Sequence, residues 1–296
     1  MRNTELQITT LIENEADDEK LLFNEHGLSL YIEFQGKKIL FDTGQTGKFL
    51  ENATKLEKSI EEADYIFVSH GHYDHSGGVP GLLKYLSAQE NAEYSVESNR
   101  DKKIPLYVGN EFFHKKFKKL PQGFWHYNGN PFREEELENS QVALNRITED
   151  TTYITEDIVV FKNFTKYTDF EVTNPKFFIK QDDNSYVQDE FVDEIALGLI
   201  TTKGLVLIVG CSHVGIVNIL ENVKRRINVP IYSVLGGTHL VEADEERLEK
   251  TMAALMDFDL QQIAVSHCTG EQGMAMVKEA FGDGFIQNNT GNIYKV

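Results

Sequence analysis

The chain has 296 residues, of which 41% are hydrophobic and 26% are charged. This balance is ordinary for a globular protein and excludes a disordered or collagen-like chain. Acidic residues outnumber basic ones by 47 to 29. The resulting net charge of −18 repels a phosphate backbone, so no nucleic-acid partner is expected. The two densest basic runs, residues 115–119 and 224–226, are interpreted as solvated helix faces.

Neither export nor membrane insertion is expected. The N-terminal segment is polar where a signal peptide has its apolar centre, and the longest apolar run, residues 204–210, is only as long as a strand. Cys211 and Cys268 are too few for a disulfide framework. We therefore expect a cytoplasmic protein that has no membrane partner, with homo-oligomer formation left open.

Strands dominate the first seventy residues. Residues 28–34 alternate apolar and polar side chains, which is the pattern of a half-buried strand. A turn at 35–37 joins them to a second strand at 38–41, so the pair predicts a hairpin. The elements predicted next are a helix over 46–56, a strand over 64–68 and a helix over 79–88.

Residues 90–190 are predicted to be an insertion or subdomain packed on the main fold. They are rich in aromatic and charged residues, and Phe and Tyr are too frequent for a disordered linker. A helix is predicted over 110–120 and a short strand over 157–161. Because such excursions often form the wall of a pocket, we expect this one to influence substrate specificity.

A regular alternation of strands and helices returns after residue 194. The strands predicted there cover 195–201, 205–209, 231–235 and 262–265, with a last one near 293, and the helices cover 215–226, 245–257 and 271–281. Together with the strand-rich first half, this order predicts an α/β fold in which two sheets are sandwiched between outer helices. A single domain over residues 1–296 is expected.

The most informative segment is residues 69–78, which contain His70, His72, Asp74 and His75 within six positions. It comes where a predicted buried strand ends and a helix begins, and side chains converge on a pocket at such places. Three imidazoles and a carboxylate suit a divalent transition metal. The segment therefore predicts a metal site rather than a polar surface loop.

A strand followed by His-x-His-x-Asp-His and two glycines resembles the hallmark of the metallo-β-lactamase superfamily, and Asp42 lies in a segment that resembles its first motif. The resemblance implies an αββα sandwich with one or two metal ions at the sheet edge. It assigns His70 and His72 to the first ion. It assigns Asp74 and His75 to the second, with Asp74 also orienting the attacking water. Asp42 would support a ligand; the alternative is an Asx turn after a strand.

Two further histidines follow predicted strands in the second half. His267 is similar in position to the last histidine ligand of the superfamily, with a capping or packing role as the alternative. His213 is a candidate for another ligand, with substrate contact at a helix N-terminus as the alternative. Most members have a bridging aspartate where this chain has Cys211. A thiolate can bind or bridge metals, but Cys211 as a small buried residue stays open, with Asp193, Glu194 or no residue as the bridge.

The wider pattern is similar to one branch of the superfamily, the dihydropterin ribofuranosylaminobenzene-phosphate synthase-like proteins. The segments that carry this resemblance are 25–30, 44–47, 210–213, 236–240 and 267–270. His26 and His239 lie in two of them and are candidates for substrate binding. A surface loop is the alternative for His26; a metal ligand, a proton shuttle or a structural role are alternatives for His239.

These observations favour a metal-dependent enzyme of the hydrolase or synthase type. It would use one or two divalent ions, zinc first and manganese or iron as alternatives, to activate water or a substrate oxygen. The expected substrate is a small anionic or phosphorylated molecule, such as a pterin-like or phosphoester compound. Two alternatives are a non-enzymatic metal-binding sensor or binding module and a di-iron redox protein. The negative charge disfavours a nuclease, and the polar N-terminus disfavours hydrolysis of β-lactams met outside the cell.

Overall fold

The computed structural model describes residues 6–17, 19, 21–90 and 103–296. Its strands are β1 (Leu6–Ile12), β2 (Ser29–Phe34), β3 (Lys37–Phe41), β4 (Tyr65–Phe67), β5 (Ile104–Gly109), β6 (Lys115–Lys119), β7 (Trp125–Tyr127), β8 (Val142–Ile147), β9 (Thr151–Tyr153), β10 (Ile158–Phe161), β11 (Phe177–Lys180), β12 (Tyr186–Gln188), β13 (Ala196–Thr201), β14 (Gly204–Val209), β15 (Ile231–Gly237), β16 (Gln262–Ser266), β17 (Phe285–Gln287) and β18 (Ile293–Lys295).

The α-helices are α1 (Lys48–Lys55), α2 (Tyr73–Ser76), α3 (Val79–Glu90), α4 (Ile216–Arg226), α5 (Glu245–Met256) and α6 (Gly270–Phe281). Short 3₁₀ helices cover Ile60–Glu62, Glu134–Leu137, His267–Thr269 and Gly282–Gly284. Among the residues that the structure describes, no helix is both long and apolar enough to cross a bilayer.

Two seven-stranded sheets form the centre of the fold. The first has the strand order β18-β1-β2-β3-β4-β5-β8, and the second has the order β17-β16-β15-β14-β13-β10-β9. The predicted hairpin is confirmed, because β2 and β3 pair antiparallel. Apart from the helix over 110–120, the strands and helices predicted from the sequence lie within two residues of the observed bounds.

Three apolar layers hold these sheets and the helices together. In β14, Val206 and Ile208 point into the layer between the two sheets, whereas Leu205, Leu207 and Val209 point towards α4, α5 and α6. Each such fully buried side chain contributes roughly 1.5–3 kcal/mol by leaving water. A third layer packs α1 and α3 on the outer face of the first sheet. The predicted αββα sandwich is therefore confirmed.

The carboxyl ends of five strands meet at one edge of this sandwich. β3 and β4 run parallel in the first sheet, and β14, β15 and β16 run parallel in the second. Candidate residues follow each strand directly or within three positions: Asp42, His70, Cys211, His239 and His267. The topology thus brings together residues that are up to 225 positions apart in the chain, since 267 − 42 = 225.

The helix predicted over residues 110–120 is wrong. Lys115–Lys119 form β6, an inner strand of a four-stranded sheet of order β12-β11-β6-β7. Its side chains alternate: Lys116 is buried between two carboxylates, whereas Phe117 packs on Tyr127 on the other face. Lys116 is buried and paired in a strand, which does not fit a solvated helix face, so that interpretation of the run is wrong as well.

The described part of residues 90–190 contributes to all three sheets. β5 and β8 belong to the first sheet of the sandwich, β9 and β10 to the second, and β6, β7, β11 and β12 form the four-stranded sheet. Residues 91–102 lie outside the described part of the chain. The segment that stands apart from the sandwich is therefore narrower than the predicted insertion, and the single-domain boundaries stay a prediction.

Candidate metal centre

Three buried imidazoles form the first cluster, which we call the three-histidine group: His70, His72 and His213. Nε2 of His70 lies 3.2 Å from Nδ1 of His72, and the His213 ring centroid lies 4.8 Å from the centroid of each of the other two rings. Burial lowers the pKa of all three well below the usual range of histidine. They are therefore neutral, with lone pairs free to bind a cation.

Four donors of three kinds form the second cluster, which we call the mixed group: Asp74, His75, Cys211 and His267. Nε2 of His75 lies 3.1 Å from Sγ of Cys211 and 3.2 Å from Nε2 of His267. Oδ2 of Asp74 lies 3.3 Å from Nε2 of His267 and 3.7 Å from Nε2 of His75. The edges of a zinc tetrahedron are about 3.3–3.8 Å for ligand distances of about 2.0–2.3 Å. The two Asp74 separations lie in that range, and the two from Nε2 of His75 at 3.1 and 3.2 Å are slightly shorter.

Asp42 holds His75 in place. Its Oδ2 accepts a hydrogen bond from Nδ1 of His75 at 2.6 Å, and its two oxygens also accept from the backbone N–H and the hydroxyl of Ser69. Burial lowers the pKa of His75, but the carboxylates of Asp42 and Asp74 outweigh burial and raise it to about 9. The position of His75 thus favours a positive charge next to its Nε2.

Two residues that sequence reasoning missed hold His267. Asn14 accepts a hydrogen bond from Nδ1 of His267 at 3.0 Å, and Glu13 accepts one from the His267 backbone N–H at 2.5 Å. Both follow β1, a strand that was not predicted, and no motif marks them. Only the antiparallel pairing of β1 with β2 and β18 brings them to the site.

The turn between β14 and α4 supplies one donor to each group, Cys211 to the mixed group and His213 to the three-histidine group. Both carboxylate oxygens of Glu194 accept hydrogen bonds from backbone N–H groups of this turn, at 2.9 and 3.0 Å. Asp193 instead accepts from the backbone N–H of Gly71 and from Lys116. Neither carboxylate lies in a ligand group, so among the alternatives for the bridging position the structure brings only Cys211 to the donors.

His26 and His239 lie at the border of the two groups rather than within them. His26 has a half-exposed side chain, and its Nε2 lies 3.3 Å from Oδ2 of Asp74. The ring of His239 lies 4.3 Å from that of His213 and is walled by Phe177. Burial lowers the pKa of His239 to about 4, so this imidazole is neutral.

Four of the ten described non-glycine residues with positive φ lie at this edge. Asp42, Ser212, His239 and His267 all have φ between +47° and +58°, in the left-handed region that residues with a side chain rarely adopt. Each of them follows a strand end and directs a side chain or a turn towards the clusters. Such strain persists where the surrounding structure imposes it, and it is concentrated at functional sites.

The ligand atoms of the two groups are arranged to bind metal ions. Nε2 of His213 is buried without a hydrogen-bond partner among the described residues. Asp42 and Asn14 accept hydrogen bonds from Nδ1 of His75 and His267, so the Nε2 atoms of both rings, 3.2 Å apart, are the nitrogens that face the centre of the mixed group. Metal ions can replace a proton between these nitrogens and can satisfy the orphan nitrogen of His213.

Comparisons with known proteins agree with this geometry. A family model described as the metallo-beta-lactamase superfamily matches residues 24–139. The chain is 30% identical to the 7,8-dihydropterin-6-methyl-4-(beta-D-ribofuranosyl)-aminobenzene-5'-phosphate synthase of Methanocaldococcus jannaschii, over 98% of this chain and 96% of that protein. It is also 30% identical to an uncharacterized protein of the same organism, over 97% and 98%.

Solved structures show the same fold. The crystal structure of Tm1679, a metal-dependent hydrolase of the beta-lactamase superfamily, superposes with a TM-score of 0.80 at 28% identity and covers 98% of this chain and 99% of that one. The metallo-beta-lactamase fold protein YhfI from Bacillus subtilis has a TM-score of 0.60 at 10% identity, over 99% and 100% of the two chains, which is a likeness of fold alone.

Proposed function

Since this chain belongs to the metallo-β-lactamase superfamily and is a metal-dependent enzyme of the hydrolase or synthase type, we propose that it acts on a small anionic substrate with two divalent ions, zinc first among them. The observation that carries this proposal is the presence of two adjacent donor sets, with the rings of His70 and His75 only 4.3 Å apart. Manganese and iron stay as alternatives to zinc.

The three-histidine group would hold one ion and the mixed group the other. Divalent ions bound there would lower the pKa of a bound water molecule towards ~7 and would polarise an ester, phosphoester or C–O bond. The alternative of a di-iron redox protein has no separate support in the described donor sets. The alternative of a non-enzymatic sensor gives way to the relationship with a named synthase and a named hydrolase.

Asp74 is proposed to orient the attacking water. Burial raises its pKa, but the nearby imidazoles of His75, His26 and His267 outweigh burial and hold it well below the usual range. The carboxylate is therefore ionised at neutral pH and can accept a hydrogen bond from water. Its oxygen lies at the centre of three imidazole nitrogens, within 3.3–3.7 Å of each.

The residues at the border are proposed to contact the substrate. His26 is half exposed beside Asp74, and neutral His239 can donate or accept one hydrogen bond. A cavity of about 580 Å³ opens on the other side of His267, lined by Asn14, Met274 and Lys278 but not by His26 or His239. This volume lies within the range of small-molecule sites, ~300–1,000 Å³.

A phosphorylated or pterin-like molecule is the substrate class that we propose. It is supported by the name of the archaeal relative, which is 30% identical over nearly the whole chain. That name describes a synthase of a dihydropterin compound that carries a phosphate group. The absence of a nucleic-acid partner is proposed with it, on the net charge of −18. A cytoplasmic location and the absence of a membrane partner are also proposed, since the longest apolar run is only as long as a strand. Homo-oligomer formation stays open.

The first experiment is the metal content per chain by mass spectrometry, on protein purified without chelators or a histidine tag. Two equivalents, with metal-dependent turnover in a panel of phosphoesters, esters and pterin phosphates, are the expected result. One equivalent would contradict the two-ion proposal and favour a mononuclear synthase. A loaded protein without turnover on the whole panel would contradict the proposed substrate class.

A further inference from the structure

Asn128 is a buried asparagine that follows β7 in the four-stranded sheet. Its backbone N–H donates to the carbonyl of Lys116, and its carbonyl accepts from the N–H of Tyr73, both at 3.1 Å. The next residue, Gly129, forms an isolated β-bridge with His72. These backbone contacts fix the Asn128 side chain against the three-histidine group.

The side-chain amide faces one nitrogen of His72. Nδ2 of Asn128 lies 3.0 Å from Nε2 of His72, and Oδ1 of Asn128 is buried without a partner among the described residues. The other ring nitrogen, Nδ1 of His72, points to Nε2 of His70 and is therefore the donor atom of the group. An imidazole that binds a metal ion through one nitrogen is neutral and carries its proton on the other nitrogen.

We propose that Asn128 is a positioning residue that sets the tautomer of His72 for metal binding, an inference that rests on the proposed function. An ion that takes the lone pair of Nδ1 leaves the proton on Nε2. The Nε2–H group of His72 would then lie 3.0 Å from the amide nitrogen of Asn128, which is itself a donor. A half-turn of the amide brings Oδ1 to the same place, and this unpartnered oxygen becomes the acceptor for Nε2–H.

The four-stranded sheet is then a part of the metal site. The motif at residues 70–75 supplies the ligands, whereas the tautomer of one of them depends on a side chain that lies more than fifty positions further along. Asn14 has the corresponding place in the mixed group, since its Oδ1 already accepts from Nδ1 of His267. This parallel provides a matched control.

The test is zinc binding by the metal-free protein, measured in competition with a chromophoric chelator. Asn128→Leu keeps the size of the side chain but cannot accept a hydrogen bond, and we expect it to weaken one of two zinc equivalents by about 10–100-fold. Asn128→Asp keeps the shape and accepts through either oxygen, so it should bind like wild type. Asn14→Leu should weaken the other equivalent, and the double variant should weaken both.

Two results would overturn the proposal: two equivalents of wild-type affinity in Asn128→Leu, or binding by Asn128→Asp that is as weak as in Asn128→Leu. If Asn128→Leu does not fold, NMR of zinc-loaded wild type with isotope-labelled histidine decides, because a His72 proton on Nδ1 instead of Nε2 would overturn the proposal directly. Wild-type protein that binds no zinc would overturn the proposed function itself.

Discussion

The mixed group and the three-histidine group lie next to each other, but they are supported in different ways. Asp74 and Asp42 place two carboxylates in or against the mixed group, and they raise the pKa of His75 to about 9. The three-histidine group has only neutral donors, and the buried cation of Lys116 further lowers the pKa of His72 after burial itself. The electrostatic environment therefore favours a cation at the mixed group and less so at the three-histidine group.

The supports also come from different parts of the chain. Asp42, Asn14 and Glu13 follow strands of the first sheet of the sandwich, and they hold the mixed group. Asn128 and the Lys116–Asp193 pair connect the four-stranded sheet to the segment around His72. The mixed group is thus supported from the sandwich, and the three-histidine group is supported in part from the four-stranded sheet. We infer that the mixed group binds its ion first and more tightly.

The largest effect should come from Asp74→Asn. Of the two described groups only the mixed group contains a carboxylate, and its replacement by a neutral amide weakens the acceptor that orients water, so we expect a loss of about 10²–10⁴ in turnover. Turnover is measured at saturating zinc, so that weaker binding alone does not account for the loss. Asp182→Asn, in the exposed turn between β11 and β12, is the control. Wild-type turnover in Asp74→Asn would mean that the carboxylate of the mixed group, which distinguishes it from the three-histidine group, has no role in the reaction.

A second large effect should come from Lys116→Met. Its ammonium lies 2.7 Å from Asp189 and 2.8 Å from Asp193, with all three side chains buried. Removing one partner leaves buried carboxylates without a counter-charge, which costs about 3–5 kcal/mol in the free energy of unfolding. Urea unfolding of the metal-free protein measures it. The neighbouring Lys115→Met removes an exposed lysine from the same strand and should change stability by less than about 0.5 kcal/mol.

Equal stabilities of these two lysine variants would contradict this account of the three-histidine group. The ion pair supports that group through Asp193, whose other oxygen accepts from the backbone N–H of Gly71, between His70 and His72. Without a stabilising buried pair, the four-stranded sheet would have no energetic role at the site.

The parts of the site that could be predicted from the sequence are those with local patterns. His70, His72, Asp74 and His75 lie within six positions, and short continuous apolar runs mark the buried strands before them and before Cys211 and His267. Parallel strands bring such positions to one edge, so the grouping of distant residues followed from the order of elements. The assignment of each residue to one ion stays a prediction until metal is measured.

The parts that could not be predicted depend on tertiary contacts. Asn14 and Asn128 are single asparagines outside any motif, and each reaches a histidine through strand pairing that composition does not reveal. Lys116 lies in a run of lysines that is typical of a solvated surface, and only the carboxylates at 189 and 193, which meet it across the fold, explain its burial. Sequence reasoning has no local signal for such pairs.

A smaller effect should come from Asp42→Asn, which tests whether the sandwich supports the mixed group. The amide keeps the shape but weakens the charge-assisted bond to Nδ1 of His75, so zinc affinity at this group should fall by about 10–100-fold. Chelator competition measures the affinity for both zinc equivalents, and the affinity of the three-histidine group should change less. Ser69→Ala removes the hydroxyl contacts to Asp42 and to Nδ1 of His70 but leaves the Asp42–His75 bond in place, so it should have the weaker effect at the mixed group. If Ser69→Ala lowers zinc affinity more than Asp42→Asn does, this segment supports the three-histidine group rather than the mixed group.

The smallest effect concerns Glu171, which supports the turn that the two groups share. Its carboxylate accepts from the backbone N–H groups of Val217 and Asn218 at the start of α4, directly after the turn that carries Cys211 and His213. Gly215 lies in the same turn at φ +99°, and a Cβ there would collide with the Glu171 carboxylate. A change at Glu171 should therefore affect both groups alike.

Burial raises the pKa of Glu171 from 4.5 to about 7, although the two backbone hydrogen bonds oppose this. The folded state thus holds the proton more tightly than the unfolded chain. The stabilisation is complete below about pH 4.5 and is lost as the pH rises through about 7. Between pH 5 and 8 the metal-free wild type should lose about 1–3 kcal/mol more stability than Glu171→Gln. Glu221→Gln, on the partly exposed face of α4, should keep the wild-type slope. An unchanged slope in Glu171→Gln would mean that the carboxyl group stays ionised and that the shared turn has no proton-linked support.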